Sequence, residues 1–137
     1  MKSNELMIWD LLDLSNVPND IIPCKVVELH ADELYVIQPN DTACDVVGYD
    51  MIEPIPITAE ILEKNGFKKT TDEKYYMCDD YSELSAEEYS DSIWLICCSD
   101  IECNLPVQKI MVSYIHQLQQ FLRLCGNENL ANNFKIE

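Results

Sequence analysis

Short apolar runs separated by turn residues dominate the first third of the chain. Residues 6–14 are compatible with either a helix or a strand, and residues 15–20 have the composition of a turn. Two β-rich runs, 24–29 and 33–37, are separated by only a few polar residues. This spacing predicts a hairpin with a tight connection.

A third run, residues 45–49, contains Gly48, at which we expect a bulge or a sharp bend. The strands predicted in this half are short, linked by hairpins and interrupted by proline and glycine. They therefore predict a small, strongly bent antiparallel sheet, barrel-like in form, within residues 1–57.

The middle of the chain predicts a short helix. Two prolines just before residue 58 exclude a helix at their own positions, since each removes an amide donor and favours extended backbone before it. Thr58 has the chemistry of an N-cap, and Gly66 that of the residue just past a helix end. We therefore predict a helix over residues 59–65, with Phe67 packed back onto it.

Two further strands are predicted in the second half, at residues 74–78 and 92–98. The second is a continuous apolar run, typical of a central strand buried on both faces. The residues between these strands, 79–91, contain six acids and no base, and we expect them to form an acidic excursion between two paired strands. The six acids are Asp79, Asp80, Glu83, Glu87, Glu88 and Asp91.

The C-terminal region predicts one amphipathic helix. Between residues 112 and 125, apolar side chains recur every three or four positions, and Gly126 ends the pattern. The polar residues 127–137 are expected to fray, apart from contacts made by Leu130 and Phe134. These elements predict a single α+β domain over residues 1–137, with the later strands packed on the helices.

The net charge of the chain limits the classes of molecule that we expect it to bind. The 137 residues include 25 acids and 9 bases, which gives a formal net charge of −16 at pH 7. Because Lys and Arg carry most phosphate binding, this balance argues against direct contact with nucleic acid or an anionic membrane and favours a cationic protein surface. The sequence has no apolar run of membrane-spanning length and no signal peptide in its first 13 residues, so we expect a cytoplasmic location.

Seven cysteines raise the question of thiol or metal chemistry. Their odd number and the adjacent Cys97 and Cys98 argue against a disulfide framework, and most have apolar neighbours, as buried thiols do. Cys98 and Cys103 have a zinc-like spacing, but a second ligand pair is missing, so we predict no metal site. A cysteine nucleophile paired with His30 or His116 stays an alternative without a supporting motif.

The usual motifs of catalysis are also missing. The three glycines lie far apart, so the sequence has no Gly-rich loop that would cradle a phosphate. No Ser or Cys nucleophile is flanked by glycines, and the acidic stretch does not match a calcium-binding loop. We therefore predict that the protein is not an enzyme and has neither catalytic residues nor a cofactor.

Two blocks of the sequence resemble a family of small proteins. Residues 47–67 read VGYDMIEPIPITAEILEKNGF, and residues 114–126 read YIHQLQQFLRLCG. They resemble an "I-x-P-I-P-L-T-x-E-x-L-x-K-x-G-F" block and a C-terminal "Y-V-H-x-L-Q-N-L-Y-F-x-L-T-G" helix of an uncharacterised family from Bacteroides-type bacteria and their phages and mobile elements. The resemblance implies organisation and context rather than an activity. Family members begin with a strand containing "I-G-N", where this chain has Ile8-Trp9-Asp10.

Three hypotheses for function follow. The first is a non-enzymatic interaction module of a phage or mobile element, whose acids in 79–91 dock on a cationic protein in the bacterial cytoplasm. A host nucleic-acid-binding or defence protein is an example, since carboxylates can occupy a groove in place of phosphates. The second is a binder of a small molecule such as a signalling nucleotide, at Lys68, Lys69, Lys74, Tyr75 and Tyr76. The third is a structural or virion-associated protein, and the oligomeric state stays open.

Overall fold

A computed structural model describes residues 1, 3–14, 20–70, 74–78, 82–100 and 108–136 of the protein. Two antiparallel sheets and three α-helices make up this part of the chain, which confirms the predicted α+β class. The chain divides into two compact units, unit 1 (residues 1–55) and unit 2 (residues 56–137). The expectation of a single domain over the whole chain stays a prediction.

Unit 1 is built on a four-stranded antiparallel meander. Its strands, in chain order across the sheet, are β1 (Leu11–Asp13), β2 (Pro23–Leu29), β3 (Glu33–Ile37) and β4 (Asp45–Gly48). The pairing of β2 with β3 confirms the predicted hairpin. Among the described strands, β1 and β4 are the sheet edges, so the sheet is an open meander and the barrel-like description is too strong.

One face of the meander forms the core of unit 1. Its fully buried side chains are Leu12, Val26, Leu34 and Val36. The bulge in this sheet lies in β2, at the register shift between Val26 and Glu28. At Gly48 the strand β4 ends and the chain enters a 3₁₀ helix, Tyr49–Met51, which is the change of direction expected there. A second 3₁₀ helix, Ser3–Glu5, precedes β1.

Helix α1 (Ala59–Lys64) confirms the predicted short helix and both of its end signals. The Thr58 hydroxyl accepts a hydrogen bond from the amide of Ile61 (3.2 Å), as an N-cap does. Gly66 has a φ of +95°, the left-handed conformation that glycine adopts most easily after a helix. Phe67 is almost fully buried, and its amide bonds back onto a helix carbonyl (3.1 Å).

Unit 2 is built on a five-stranded antiparallel sheet. In chain order its strands are β5 (Lys68–Lys69), β6 (Tyr75–Cys78), β7 (Ser82–Ser90), β8 (Ile93–Asp100) and β9 (Gln108–Val112). The predicted strands at 74–78 and 92–98 are present, but β7 lies between them and pairs with both. The prediction of an acidic excursion is therefore wrong for residues 82–90, and residues 79–81 lie outside the described part of the chain.

The acidic segment forms a strand because its apolar and polar residues alternate. Leu84 and Ala86 are 2% and 0% exposed, whereas Glu83, Ser85 and Glu87 are partly exposed. A two-residue period is that of a strand with one buried face. The period is hard to recognise in the sequence, because only two inward-facing residues, Leu84 and Ala86, define it among many acids.

Strand β8 is an interior strand, as predicted, but its two faces differ. Trp94, Ile96 and Cys98 are buried, whereas Leu95 and Cys97 on the other face are partly exposed. The expectation of burial on both faces is therefore wrong. A continuous apolar run shows that a strand lies inside a sheet without showing how deeply each face is covered.

Helix α2 (Ile115–Leu124) is amphipathic, as predicted, and Gly126 follows it with a φ of +84°. It begins three residues later than predicted because the chain up to Val112 belongs to β9. His116 is buried on this helix, and its ring stacks on that of Tyr114 at a centroid distance of 6.0 Å. None of the described helices is long and apolar enough to cross a membrane.

Residues 127–136 of the C-terminal tail are packed on the rest of unit 2, so the expectation that the tail frays is wrong for them, whereas the expected contact of Phe134 is confirmed. The tail forms a short helix α3 (Glu128–Asn132), and Ala131, Phe134 and Ile136 are buried. The amide of Gln119, itself fully buried, donates a hydrogen bond to the carbonyl of Ala131 (2.8 Å). The tail is therefore held by buried apolar side chains and by a hydrogen bond to the buried amide of Gln119. The polar composition of the tail indicated neither of these contacts.

The alternation in β7 predicts opposite effects at two adjacent positions. Ala86→Asn should lower the free energy of unfolding by about 2–4 kcal/mol, because it forces a polar amide into the closed core. Ser85→Asn, the matched control on the other face, should change it by less than about 0.5 kcal/mol. Urea unfolding followed by circular dichroism measures both values, and equal effects would show that the register of β7 is wrong.

Candidate functional site

A groove with a volume of about 490 Å³ opens where β7 turns into β8 in unit 2. Eight residues line it: Ala59, Lys69, Tyr75, Glu87, Glu88, Ser90, Asp91 and Trp94. The lining therefore includes three acidic residues, one lysine, one serine, one tyrosine and one tryptophan at one end of the sheet.

The hairpin register explains why acids collect at this end. Glu88 pairs with Trp94 and Ser90 pairs with Ile93, so the pairing shifts by one residue between them. A β-bulge of this kind re-aims the side chains around it and increases the local twist. Glu87 and Glu88 both precede the shift and keep the regular alternation of a strand, so Glu88 lies on the face of Trp94 and Glu87 on the face of Leu95.

Two aromatic side chains form the buried part of the groove. The rings of Tyr75 and Trp94 meet edge to face, with centroids 5.9 Å apart and planes at 63°. Their residues are only 7% and 4% exposed, so they are held by the core as well as by each other. Such a pair contributes about 0.5–1.5 kcal/mol beyond its apolar burial. The groove therefore has a rigid, apolar base beneath its charged rim.

The charges around the groove favour a cationic ligand. The lining has three acidic residues, Glu87, Glu88 and Asp91, and one basic residue, Lys69. Nearby, the Lys74 Nζ lies 3.8 Å from a carboxylate oxygen of Glu87, and both side chains are about half exposed. An exposed ion pair of this length contributes at most about 1 kcal/mol. It therefore leaves Glu87 available to a stronger cationic partner.

The structure brings together three of the six predicted partner-binding acids. Glu87, Glu88 and Asp91 line the groove, while Glu83 lies further along β7 and is not part of the lining. Asp79 and Asp80 lie outside the described residues. The acidic surface predicted from the sequence is therefore concentrated, within the described part, at the hairpin end of β7.

The residues predicted for the alternative small-molecule site are divided. Lys69 and Tyr75 line the groove and pair across β5 and β6. Lys68 and Tyr76 form the adjacent pair, and consecutive strand residues point to opposite faces, so this pair faces away. Lys74 is beside Glu87 rather than in the lining. The five residues thus do not converge on one pocket.

Sequence reasoning missed the remaining lining residues. Trp94 lies in an apolar run and was predicted only as part of a buried strand, while Ser90 and Ala59 carry no signal of their own. Their place in the groove follows from strand pairing, which brings residue 94 opposite residue 88. The only sequence signal for this pairing is the turn-forming Asp91-Ser92 between two runs of strand residues.

Two thiols are unsuited to nucleophilic chemistry at neutral pH. Burial, together with the nearby carboxylates of Asp13 and Asp45, raises the pKa of the Cys24 thiol to about 12. Burial likewise raises the pKa of Cys125 to about 12, together with a hydrogen bond to the thiol of Cys98. Since the thiolate is the nucleophile, these protonated thiols are poor nucleophiles at neutral pH.

In the described part of the chain, no group of three or more His, Cys, Asp or Glu side chains could hold a metal ion. Cys103, one half of the zinc-like pair, lies outside that part. Comparisons with known proteins add no relative: no protein-family model, curated protein or solved structure matches the chain. The argument for function therefore depends on the geometry and charge of the groove.

Thiol reactivity offers a direct check of the raised pKa values of Cys24 and Cys125. At about pH 8, iodoacetamide should label the exposed Cys44 in the folded protein much faster than Cys24 or Cys125. The pKa of Cys24 is about 12 when folded against an ordinary 9.0, so the unfolded chain loses this proton first. The free energy of unfolding should therefore fall as the pH rises from 9 towards 12.

Peptide mass spectrometry after timed alkylation measures the labelling, and urea unfolding across this pH range measures the stability. Labelling of Cys24 at the rate of Cys44 would contradict the burial of its thiol. A free energy of unfolding that increased over the same pH range would contradict the direction of its pKa shift.

Proposed function

We propose that the protein is a non-enzymatic acidic interaction module that docks on the cationic surface of a partner protein. The groove at the β7–β8 hairpin receives a lysine or arginine side chain of that partner. The observation that carries this proposal is the presence of Glu88 and Asp91 in the lining of the groove that holds the aromatic pair Tyr75 and Trp94.

The chemistry of the groove matches a guanidinium or ammonium group. Carboxylates accept charge-assisted hydrogen bonds from such groups, and arginine can bind one carboxylate with two parallel bonds. An aromatic ring nearby adds a cation–π attraction of about 0.5–2 kcal/mol. The stem of a lysine or arginine also packs on the apolar base while its charged head stays at the rim.

The acid excess of the whole chain supports the same class of partner. With 25 acids against 9 bases, the protein attracts cationic surfaces over several ångströms and speeds their encounter. In this proposal the long-range attraction, which acts before contact, sets the rate of association. The contacts in the groove, which form afterwards, select the docked orientation.

The resemblance to the family from Bacteroides-type bacteria, phages and mobile elements adds a biological setting to the proposal. In that setting, the partner is a host nucleic-acid-binding or defence protein in the bacterial cytoplasm. Its basic groove would hold the carboxylates of the β7–β8 hairpin where phosphates otherwise bind. Inhibition of that host protein is the proposed outcome.

The small-molecule alternative is less well supported. Lys69 and Tyr75 are in the groove, but three carboxylates share it and would repel the phosphates of a nucleotide. Thermal shift with a panel of signalling nucleotides measures this alternative, and stabilisation by any of them would favour it over docking. The virion-associated alternative predicts self-assembly, which light scattering at high protein concentration detects.

An arginine-rich peptide tests the docking proposal without a known partner. An acetylated, amidated peptide of alternating Arg and Gly should bind the protein in isothermal titration calorimetry. Its affinity should fall steeply between about 50 mM and about 500 mM salt, because screening weakens the attraction. The double variant Glu88→Gln/Asp91→Asn should weaken binding at least about tenfold, since it removes two of the three lining carboxylates.

The matched control removes the same charge elsewhere. Asp32→Asn/Asp41→Asn neutralises two exposed acids of unit 1 and should weaken binding by less than about threefold, through the net charge alone. If both double variants weaken the peptide equally, binding is a property of the overall charge and the groove is not the docking site. Absence of peptide binding at low salt would reject the proposal.

A further inference from the structure

A tight turn in unit 1 presents apolar side chains to the solvent. Met7, Ile8 and Trp9 are consecutive and are 46%, 40% and 42% exposed. Single exposed apolar residues are normal on protein surfaces, but an adjacent trio that includes a tryptophan is not. The turn is far along the chain from the β7–β8 groove and belongs to the other compact unit.

The backbone of this turn is strained. Trp9 has a φ of +72°, in the left-handed region that L-residues with large side chains avoid. The two other described non-glycine residues with positive φ are Asn40 and Ser92, small polar residues in turns. Glycine would adopt this conformation without strain, so the backbone at this position favours glycine over a bulky side chain.

Hydrogen bonds hold the strained turn in one conformation. The fully buried carboxylate of Asp10 accepts a bond from the Met7 amide (2.8 Å), and the Asp10 amide donates to the Met7 carbonyl (3.1 Å). The Trp9 amide also donates to the carbonyl of Val26 in β2 (2.7 Å). The exposed side chains are therefore displayed by a fixed backbone, and ordering them on binding costs little.

We propose that the Met7–Trp9 turn is a docking element that inserts the indole of Trp9 into an apolar pocket with a basic rim on a partner protein. Tryptophan is enriched among the residues that dominate protein interfaces. Residues 1–55 contain eleven acids and two bases, which favours a basic rim. The same charge repels both an anionic bilayer and a second copy of this chain.

Photo-crosslinking at Ile8 tests which surface covers the turn. Ile8 is replaced by p-benzoylphenylalanine, and the protein is irradiated alone, with phosphatidylcholine–phosphatidylglycerol vesicles, and in a bacterial lysate. A crosslink at exposed Glu33 serves as the control position. We expect an adduct to one protein from position 8 and not from position 33, at a site that mass spectrometry places in an apolar pocket flanked by Lys or Arg.

The crosslinked protein is then purified and titrated with wild type and with Trp9→Gly. We expect Trp9→Gly to weaken the affinity at least about tenfold, because it removes the anchor. Its melting temperature should change by less than about 5 °C, since relief of the left-handed strain opposes the loss of packing by the partly buried indole. The affinity of the groove variant Glu88→Gln/Asp91→Asn for the same partner is measured alongside. A loss of affinity in Trp9→Gly that is absent in the groove variant separates this inference from the proposed function.

Several results would overturn the inference. They are adducts to lipid or to a second copy of the chain, no protein adduct specific to position 8, and an unchanged affinity for Trp9→Gly. A fall of about 5 °C or more in the melting temperature of Trp9→Gly would show instead that Trp9 supports the fold.

Discussion

Burial of Leu84 and Ala86 within the unit 2 sheet is the constraint on which the candidate site depends. Leu84 pairs with Met77 and Cys98, and Ala86 pairs with Tyr75 and Ile96, so both lie in the middle of three paired strands. Because these two side chains face the core, the acids of β7 are placed at its outward positions and at its hairpin end. The carboxylates of the groove are thus held by an interior strand.

This placement explains how an acidic protein can gain specificity from charge. Carboxylates spread over a flexible loop attract cations but must be ordered when a partner binds, which weakens association. In β7 the backbone is already fixed by two neighbouring strands, and Tyr75 and Trp94 fix the base of the groove. The mutual repulsion of the acids slightly destabilises the fold, and a docked cation relieves it.

Local signals were enough to predict several elements. The N-cap Thr58, the left-handed Gly66 and the returning Phe67 define α1 because capping depends on residues within a few positions. The β2–β3 hairpin was predictable for the same reason, since its strands are separated by a few residues. The six acids were also recognised as a feature, although the conformation of residues 82–90 was predicted wrongly.

Features that depend on distant contacts could not be predicted in this way. Strand β7 was missed because its acids outweigh the two inward residues that define its period. The tail was expected to fray, yet Gln119 satisfies the Ala131 carbonyl from another helix, a contact with no local signature. The groove itself follows from pairing between residues 88 and 94, so Trp94 gave no sign in the sequence of being part of a site.

Chemical-shift mapping tests the central claim most directly. Amide resonances of the isotope-labelled protein are followed by two-dimensional NMR during titration with the arginine-containing peptide. The account predicts saturable shifts concentrated at residues 87–94 together with Lys69, Tyr75 and Ala59, and small shifts at the exposed acids of unit 1. Shifts of similar size at acids throughout the chain would contradict it, because they would show binding to diffuse charge rather than to the groove.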